Sequence, residues 1–517
     1  MRKVNIISPS GASLKDCANH PSHGKVTALT IAVSLVSASF DSLADVKLEY
    51  TTGSDQAITI PDDGKTATIN NNFTSANGSI TISGSSLSPS ELTVKQENNT
   101  QEVLFNNNKH FLNFKEGASQ LNSASLIIED SVNVRRGNPK GTAIAVEQEN
   151  LKFGTITNNG RITSGGRLIS VEKGAKVDKI VNKGTLINTY PDEQPEYGAV
   201  IALGNTLNNN NRTSGHVSSI ELDGNVEGNN ILALFNESTV DSLTLTGTAT
   251  TRGDAVYVHG GELDKIELTE RSQLTSPNGI VTFSTGGVGD VTVSGTVTIT
   301  DSTNGIFVDN DSSSFKSLTF TPTAKVTGAK NIVVNGYKTS SRIGSLVLDG
   351  ELSSIGALVA QKDQTNSRID SITIKSSAKL STPTNIINNT EGSTIGTSGG
   401  ASSGITIESG FTDNNSQYLV RNAGTIYGVS VGKASNVDTD PNYSSKIRNS
   451  GAIEGILALQ NGANVSVTNS GTMNTLSGAE NSTLALTNSG SVTDITGGKN
   501  GSLTVDNQSG TISSVTA

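Results

Sequence analysis

Short segments in which apolar and polar residues alternate recur along most of the chain, and many of them end in asparagine and glycine. The form apolar-x-Asn-x-Gly has copies that begin at Ile156, Ile180, Val420, Ile447, Val467 and Leu486. Alternation with a period of two is typical of β-strands, and glycine and asparagine favour the turns that close them. The pattern therefore predicts many short strands, each followed by a turn.

The same form continues through the middle of the chain with an apolar residue in place of the asparagine, as in Ile220-Glu-Leu222. From Ile220 to Ile372 the first positions are spaced by 23, 23, 25, 27, 28 and 26 residues, and those at 447, 467, 486 and 505 by 20, 19 and 19. A second apolar pair, such as Leu232/Leu234, follows each central copy. Such units bury an apolar face only by stacking. We therefore expect an all-β fold, a parallel β-solenoid of roughly 16 coils about 75 Å long.

Stacking also explains the asparagine. Its side chain points inward at the end of a strand, where a lone amide is costly to bury, but stacked amides can hydrogen-bond to one another. We expect one structural ladder formed by Asn158, Asn182, Asn422, Asn449, Asn469 and Asn488. Apolar packing fills the same position from Leu222 to Ile374. The glycine that follows provides a positive φ or a close approach of the backbone.

Composition agrees with a repetitive all-β chain. The 517 residues include 54 glycines, no tryptophan and 4% aromatic residues, which is a poor basis for several large globular cores. The formal net charge is −10. This excess of acidic residues argues against nucleic acid or anionic lipid as the primary partner.

The N-terminus has the features of a signal peptide. A basic stretch precedes the apolar run Val26–Ala38, which is too short to span a bilayer, and Ser42-Leu-Ala44 has the small residues of a cleavage site. We expect residues 1–44 to be removed, so that the mature chain begins near Asp45; the alternative is an ordinary buried strand. The only cysteine, Cys17, lies within this leader. Residues 45–120 are predicted to form N-terminal coils or a cap, and residues 121–517 the β-helix repeats.

A signal peptide, a cysteine-free mature chain and "TNSG"-type coils together resemble the passenger domain of bacterial autotransporters, the type V secretion family. The resemblance covers about residues 120–517, and its motifs are architectural. It implies a right-handed, pectin-lyase-like parallel β-helix at the outer-membrane surface or released outside the cell. It also implies a translocating β-barrel as partner, which we expect to be missing from this chain because "GTISSVTA" is still repetitive. The chain is then a fragment, or it uses a separate translocator; Asn138-Pro139-Lys140-Gly141 departs from the "NPNG" motif of two-partner secretion.

Catalytic patterns are not evident in the sequence. The serine-protease string "GDSG" is absent, and Gly396-Thr397-Ser398 lies in a glycine-serine stretch typical of a turn. The mature histidines are His110, His216 and His259, in unrelated units. Asp438 and Asp440 provide too few ligands for a cation, and "GGVGD" at 286–290 departs from a calcium-binding nonapeptide repeat. We expect no catalytic residues, no metal and no cofactor.

One short motif suggests attachment to cells. Arg252-Gly253-Asp254 is the tripeptide that integrins recognise, although Asp254 also occupies a turn position where Asn230, Asn278 and Asn304 stand in other coils. Both interpretations place the tripeptide at an exposed corner.

The sequence as a whole favours a secreted or cell-surface adhesin or interaction rod that is not an enzyme, with a host-cell protein or glycan as partner. We expect partners to bind at coil corners and at the loops near Asp192, Asn208, Arg252 and Ser398. Two alternatives remain open: a carbohydrate-active β-helix enzyme, and an inert structural spacer of a truncated autotransporter.

Overall fold

The structure is a computed structural model. It describes residues 46–48, 56–60, 65–69, 75–76, 80–84, 91–96, 102–105, 110–114, 124–137, 141–191, 194–205, 213–283, 286–311, 313–336, 341–362, 366–398 and 404–517. The predicted signal peptide, with Cys17, and two of the predicted loop positions, Asp192 and Asn208, lie outside these residues. Within them, no helix is long and apolar enough to cross a membrane.

Strands of successive coils pair in parallel, in register, in three sheets. One coil runs through a strand of sheet 1, then sheet 2, then sheet 3, as in Lys152–Asn158, Arg161–Ser164 and Arg167–Val171, and the next coil begins at Lys176. The connections are short, so each strand lies against its counterpart in the next coil: Ile156 pairs with Ile180. This is a parallel β-helix, as the repeat predicts.

Within the described ranges, sheet 1 has 21 strands: β1 Val46–Leu48, β3 Lys65–Ile69, β6 Glu91–Gln96, β9 Ser125–Ile128, β12 Lys152–Asn158, β15 Lys176–Asn182, β18 His216–Leu222, β21 Thr239–Leu245, β24 Glu262–Leu268, β27 Gly287–Val293, β30 Ser314–Phe320, β33 Arg342–Leu348, β36 Arg368–Ile374, β39 Thr394–Ile395, β40 Ile405–Ile407, β43 Thr425–Ile426, β44 Val429–Val431, β46 Ala452–Leu459, β48 Thr472–Ser477, β50 Ser491–Thr496 and β52 Thr511–Thr516. Sheet 2 has 13 strands in the part of the chain that the structure describes: β4 Ser75–Ala76, β7 Val103–Phe105, β10 Asn133–Arg136, β13 Arg161–Ser164, β16 Thr185–Asn188, β19 Asn225–Gly228, β22 Thr248–Thr251, β25 Gln273–Ser276, β28 Thr296–Ile299, β31 Lys325–Ala329, β34 Glu351–Ser354, β37 Lys379–Ser381 and β41 Thr412–Asn414.

Sheet 3 consists of β2 Gln56–Ile60, β5 Ile80–Gly84, β8 Leu112–Phe114, β11 Thr142–Val146, β14 Arg167–Val171, β17 Ala199–Leu203, β20 Asn230–Phe235, β23 Asp254–His259, β26 Asn278–Phe283, β29 Ile306–Asn310, β32 Asn331–Asn335, β35 Val359–Gln361, β38 Asn385–Asn389, β42 Tyr418–Asn422, β45 Ser445–Asn449, β47 Asn464–Asn469, β49 Thr483–Asn488 and β51 Ser502–Asn507. Among the described residues, two one-turn helices interrupt the coils: α1 Pro195–Gly198 and α2 Asn436–Thr439. The described strands of sheet 3 number eighteen. Each coil contributes one strand to sheet 3, so the number of coils exceeds the expected sixteen. The additional coils come from the segment before residue 120, which contributes β2, β5 and β8.

The inward side chains of all three sheets form one continuous apolar core. In β15, for example, Val177 and Ile180 are buried whereas Lys176 and Asp178 are exposed. Equivalent positions in neighbouring coils are also apolar, so each core side chain packs on a like residue above and below. Isolated coils lack these contacts, and the stack supplies them.

Sheet 2 ends before the other two sheets. Its last strand is β41, and above it the helix α2 occupies the place of the next strand. The Asn436 side chain imitates a neighbouring strand: its Oδ1 accepts from Asp413 N at 2.9 Å, and its Nδ2 donates to Asp413 O at 2.9 Å. Later coils contain only a strand of sheet 3 and a strand of sheet 1. Loss of the third strand explains why the repeat shortens to 19 or 20 residues.

The outer face of sheet 3 is covered in one part and open in another. Helix α1 contacts β14, β17 and β20. Outward residues on and beside these strands are small and buried, among them Ala145, Ser170, Ala202 and Ala233. From β42 onward the outward residues are mostly exposed, beginning with Arg421.

Candidate functional site: the polar ladder, the corner tripeptide and a trough on sheet 1

A ladder of side-chain amides runs along the inner edge of sheet 3. It begins at Asn310, continues through Asn335, Gln361 and Asn389, and then includes four of the six predicted asparagines: Asn422, Asn449, Asn469 and Asn488. Each amide nitrogen donates to the amide oxygen of the next coil, at distances between 2.7 and 3.1 Å, and the last bond reaches Asn507. All eight bonds point the same way.

The second amide hydrogen of each ladder residue is also used. Asn422 Nδ2 donates to Ala452 O at 3.0 Å, and Asn449 Nδ2 donates to Thr472 O at 3.0 Å. These carbonyls belong to sheet-1 strands one coil further along. The ladder therefore satisfies buried polar groups and fastens the turn between sheet 3 and sheet 1.

Asn158 and Asn182 do not belong to this ladder. They end β12 and β15 in sheet 1, where Asn158 Nδ2 donates to Asn182 Oδ1 at 2.8 Å. Leu222 occupies the next position of that column. The expectation of one column was therefore wrong: Ile220–Ile372 mark sheet 1, whereas the motifs from Val420 onward mark sheet 3. One local motif fits both corners because each needs an inward residue followed by a tight turn.

The glycine of the motif is required by close approach of the backbone. A Cβ at Gly451 would lie 2.1 Å from Gly424 O, one at Gly471 2.0 Å from Gly451 O, and one at Gly490 2.1 Å from Gly471 O. None of these three glycines adopts a positive φ. Stacked glycines thus let successive coils approach each other at this corner.

The tripeptide Arg252-Gly253-Asp254 lies at the corner between sheets 2 and 3. The Arg252 side chain lies back along the preceding coils: Nε donates to Asn229 Oδ1 at 2.9 Å, and Nη2 donates to Asn188 O at 2.9 Å and Tyr190 O at 3.0 Å. Partial burial lowers the pKa of Arg252, an effect that Glu227 opposes. The guanidinium is therefore held by three acceptors of its own chain.

Asp254 begins β23 and belongs to a polar column at this corner. Asn230 Nδ2 donates to Asp254 O at 2.7 Å, and Asn278 Nδ2 donates to Asp254 Oδ1 at 3.0 Å. The third predicted equivalent, Asn304, is not in the column, because Ile306 takes that place and donates its N–H to Asn278 Oδ1 at 3.2 Å. This geometry gives Asp254 a structural role in the corner.

The outer face of sheet 1 contains a trough of about 460 Å³ that crosses four coils. Its floor is the backbone of β27 at Gly287 and Gly289. Glycine has no side chain, so this strand leaves a gap between the outward side chains of β24 and those of β30. A Cβ at Gly289 would lie 1.9 Å from Asp264 O, whereas one at Gly287 would meet only Ser314 Oγ at 3.9 Å. Backbone crowding therefore requires glycine at 289, and the open space above Gly287 is the trough itself.

The two walls of the trough carry opposite charges. Glu262 and Asp264 form one wall, and Lys316 and Arg342 stand on the other. Lys316 Nζ contacts Asp290 Oδ2 at 2.7 Å, and this hydrogen bond raises the pKa of Lys316. A hydrogen bond to Asp370 likewise raises the pKa of Arg342. Each cation of this wall is thus paired with a carboxylate of its own chain.

The polar lining of the trough consists mainly of charged side chains and glycine backbone. Ser314 is the only hydroxyl among the described lining residues, and no histidine is among them. The string "GGVGD" was the available sequence signal for this site, since Gly287 and Gly289 belong to it. Its glycines form a trough floor, and Asp290 pairs with Lys316.

The remaining candidate residues lie apart from one another. Lys433 forms an ion pair with Asp438, whereas Asp440 Oδ1 accepts from Asn442 N at 2.9 Å. His216 contacts Thr239, and His259 contacts Tyr257. Within the described part of the chain, no three His, Cys, Asp or Glu residues are placed to hold a metal ion.

We find no family model, no curated protein and no solved structure that matches this chain.

Proposed function

We propose that this protein is an exported recognition solenoid, a passenger-like adhesin that binds a host-cell protein or glycan through the side of its stacked coils. The trough over Gly287 is the observation that carries the proposal. It is shallow, it crosses several coils, and it offers backbone groups between walls of opposite charge. Such a site suits an extended chain that makes many modest polar contacts.

The proposal includes export. A leader of residues 1–44 would direct the chain across the inner membrane, and a translocating barrel would be its partner at the outer membrane. Intact-mass measurement of the secreted protein checks the first step: we expect a chain that begins near Asp45. Retention of Met1 or Cys17 in the secreted protein would contradict it.

Filling the trough tests the recognition role. Gly287→Trp places a large side chain in space that is open now, and we expect saturable attachment to cultured cells or to immobilised matrix glycans to fall at least tenfold. Thr248→Trp is the matched control, because Thr248 begins β22 on sheet 2 and is exposed. Attachment that survives Gly287→Trp would exclude the trough as the site. Cleavage of a polysaccharide without attachment would show that the protein is an enzyme instead.

A further inference from the structure

Sheet 3 carries an outward column of residues that lies beside the amide ladder. In its last part the column reads Asn388, Arg421, Arg448, Thr468, Thr487 and Asp506, each paired in register with the next. No helix or insertion covers this part among the described residues. The outer face of sheet 3 is therefore uncovered here, whereas helix α1 covers it at β14, β17 and β20.

Two arginines are direct neighbours in this column. Arg421 pairs with Arg448 on the adjacent strand, about 4.8 Å away at the backbone, and both side chains are exposed. Lys446 precedes Arg448 by two residues and also points outward and exposed, about 6.6 Å along the strand. Neither arginine has an ion-pair or hydrogen-bond partner among the described residues. The next acidic residue of the column, Asp506, is three coils away.

Like charges that face each other on neighbouring strands destabilise a sheet. Several other cations on the described strands are paired with a carboxylate, as Lys179 is with Glu221 and Lys316 with Asp290. Lys152 and Lys176 face each other without one. Arg421 and Arg448, with Lys446 beside them, form a local positive patch in a chain whose formal net charge is −10. On its other side, Lys446 lines a small cavity with Asp413 and Asp440. An external anion would neutralise the patch.

The surface next to the patch is flat and polar. Ser466, Thr468, Ala485 and Thr487 follow on the next two strands, so no large side chain rises above the sheet there. A thin chain can lie across these strands, with an anionic group on the arginines and its hydroxyl groups on the threonines. Duplex nucleic acid or a bilayer would bring a broad negative surface against the acidic remainder of the protein.

We propose that the patch of Arg421, Arg448 and Lys446 binds an anionic polysaccharide, with sulfate or carboxylate groups held by the paired guanidinium groups. Arginine is suited to this task because its planar fork donates two hydrogen bonds to one oxyanion. The site lies on sheet 3 and is separate from the trough on sheet 1, so the two proposals succeed or fail independently.

Binding of the full chain to sulfated dextran, polygalacturonate and neutral dextran tests the proposal at several salt concentrations. We expect both anionic polymers, or one of them, to bind and neutral dextran not to bind. In the double variant Arg421→Thr/Arg448→Thr, affinity should fall at least tenfold, and the slope of log affinity against log salt should decrease by about 2. Threonine already occupies the next two positions of the column, so the variant should fold.

Arg161→Thr/Arg271→Thr is the control, because it removes two exposed arginines from other parts of the coils. We expect it to change affinity less than twofold, and Gly287→Trp to leave binding of the anionic polymer intact. Equal losses in both double variants would overturn the site. Tighter binding to a single-stranded oligonucleotide or to phosphatidylserine vesicles than to either anionic polymer would overturn the partner class.

Discussion

Asn449 donates its side-chain N–H to Asn469 Oδ1 across 2.7 Å, and both side chains are fully buried. Asn469 in turn donates to Asn488 Oδ1 at 2.8 Å. Each ladder amide is therefore an acceptor toward one side and a donor toward the other. A side chain that can only accept hydrogen bonds would interrupt this chain of donors and acceptors.

Asn469→Asp tests the ladder directly. The new carboxylate oxygen would face Asn488 Oδ1 and Ser491 O, two acceptors, in a site without solvent. We expect the C-terminal coils to lose about 3–5 kcal/mol, the cost of leaving a buried charge without a partner. Amide hydrogen exchange of residues 445–496 measures this local loss better than a single global transition, because solenoids can unfold in parts.

Thr468→Asp is the control, since Thr468 precedes Asn469 on β47, points outward and is exposed. We expect its effect to stay within about 0.5 kcal/mol. Equal tolerance of the two substitutions would show that the ladder does not support the coils.

Substitution of a stacked glycine should also destabilise the solenoid. In Gly471→Ala, the Cβ would lie 2.0 Å from Gly451 O, so the two coils must move apart. We expect a loss of about 1–3 kcal/mol in thermal or urea unfolding, as for other overpacked sites. Gly287→Ala, where the new Cβ meets only Ser314 Oγ at 3.9 Å, should be nearly neutral.

Asp309 should make stability depend on pH. It lies in register between Val281 and Val334, and burial raises its pKa above 3.8, with a further rise from Asp311 and an opposing effect of Lys362. A raised pKa means that the folded state holds the proton more tightly than the unfolded state. The stability that Asp309 contributes is therefore fully present below pH 3.8 and is lost as pH rises through the folded pKa.

Asp309→Asn removes this penalty. We expect its melting temperature to exceed that of the parent at pH 7, and the difference to shrink toward pH 3.8. Asp290→Asn should instead lower the melting temperature at pH 7, because hydrogen bonds from Lys316 and Ser317 lower the pKa of Asp290 and so stabilise its carboxylate in the folded protein. If the melting temperatures of Asp309→Asn and the parent differ by the same amount at both pH values, the prediction is contradicted.

The corner tripeptide can be tested through two substitutions. Arg252→Ala removes hydrogen bonds to Asn229, Asn188 and Tyr190, so we expect faster amide exchange in the coils that contain them. Asp254→Glu keeps the charge but lengthens the side chain, which integrin recognition does not tolerate. If the tripeptide is structural, cell attachment should be unchanged by Asp254→Glu; a large loss of attachment would support integrin binding.

The stack of β-strands could be predicted because apolar residues recur along the sequence at the spacing of one coil. Ile220, Leu243 and Ile266 recur at the spacing of one coil, and the structure pairs them in register. The assignment of sheets could not be derived in the same way. "VTNSG" at sheet 3 and "ITNNG" at sheet 1 satisfy the same local requirements, and only long-range pairing tells the two corners apart.

The trough was missed for a related reason. Its walls, Asp264 and Lys316, are separated by 52 positions along the chain, and alternation alone does not show which outward side chains share a row. The ladder was also longer than expected, because Gln361 and Asn335 lie outside the apolar-x-Asn-x-Gly form. An amide of different length still reaches its neighbour: Asn335 Nδ2 donates to Gln361 Oε1 at 3.1 Å.

The two-strand coils beyond α2 have a consequence for how such a protein can change in length. Asn449, Asn469 and Asn488 occupy equivalent positions, and each coil presents the same donor and acceptor to the next. Removal of residues 470–488 would join Asn469 to Ser489, restore the string "TNSG" and leave every remaining register intact. A duplication of the same stretch would insert one more layer just as cleanly. Whole-coil recombination within the gene could therefore alter the reach of the molecule without redesigning its interior, whereas loss of a few residues would misalign every later layer.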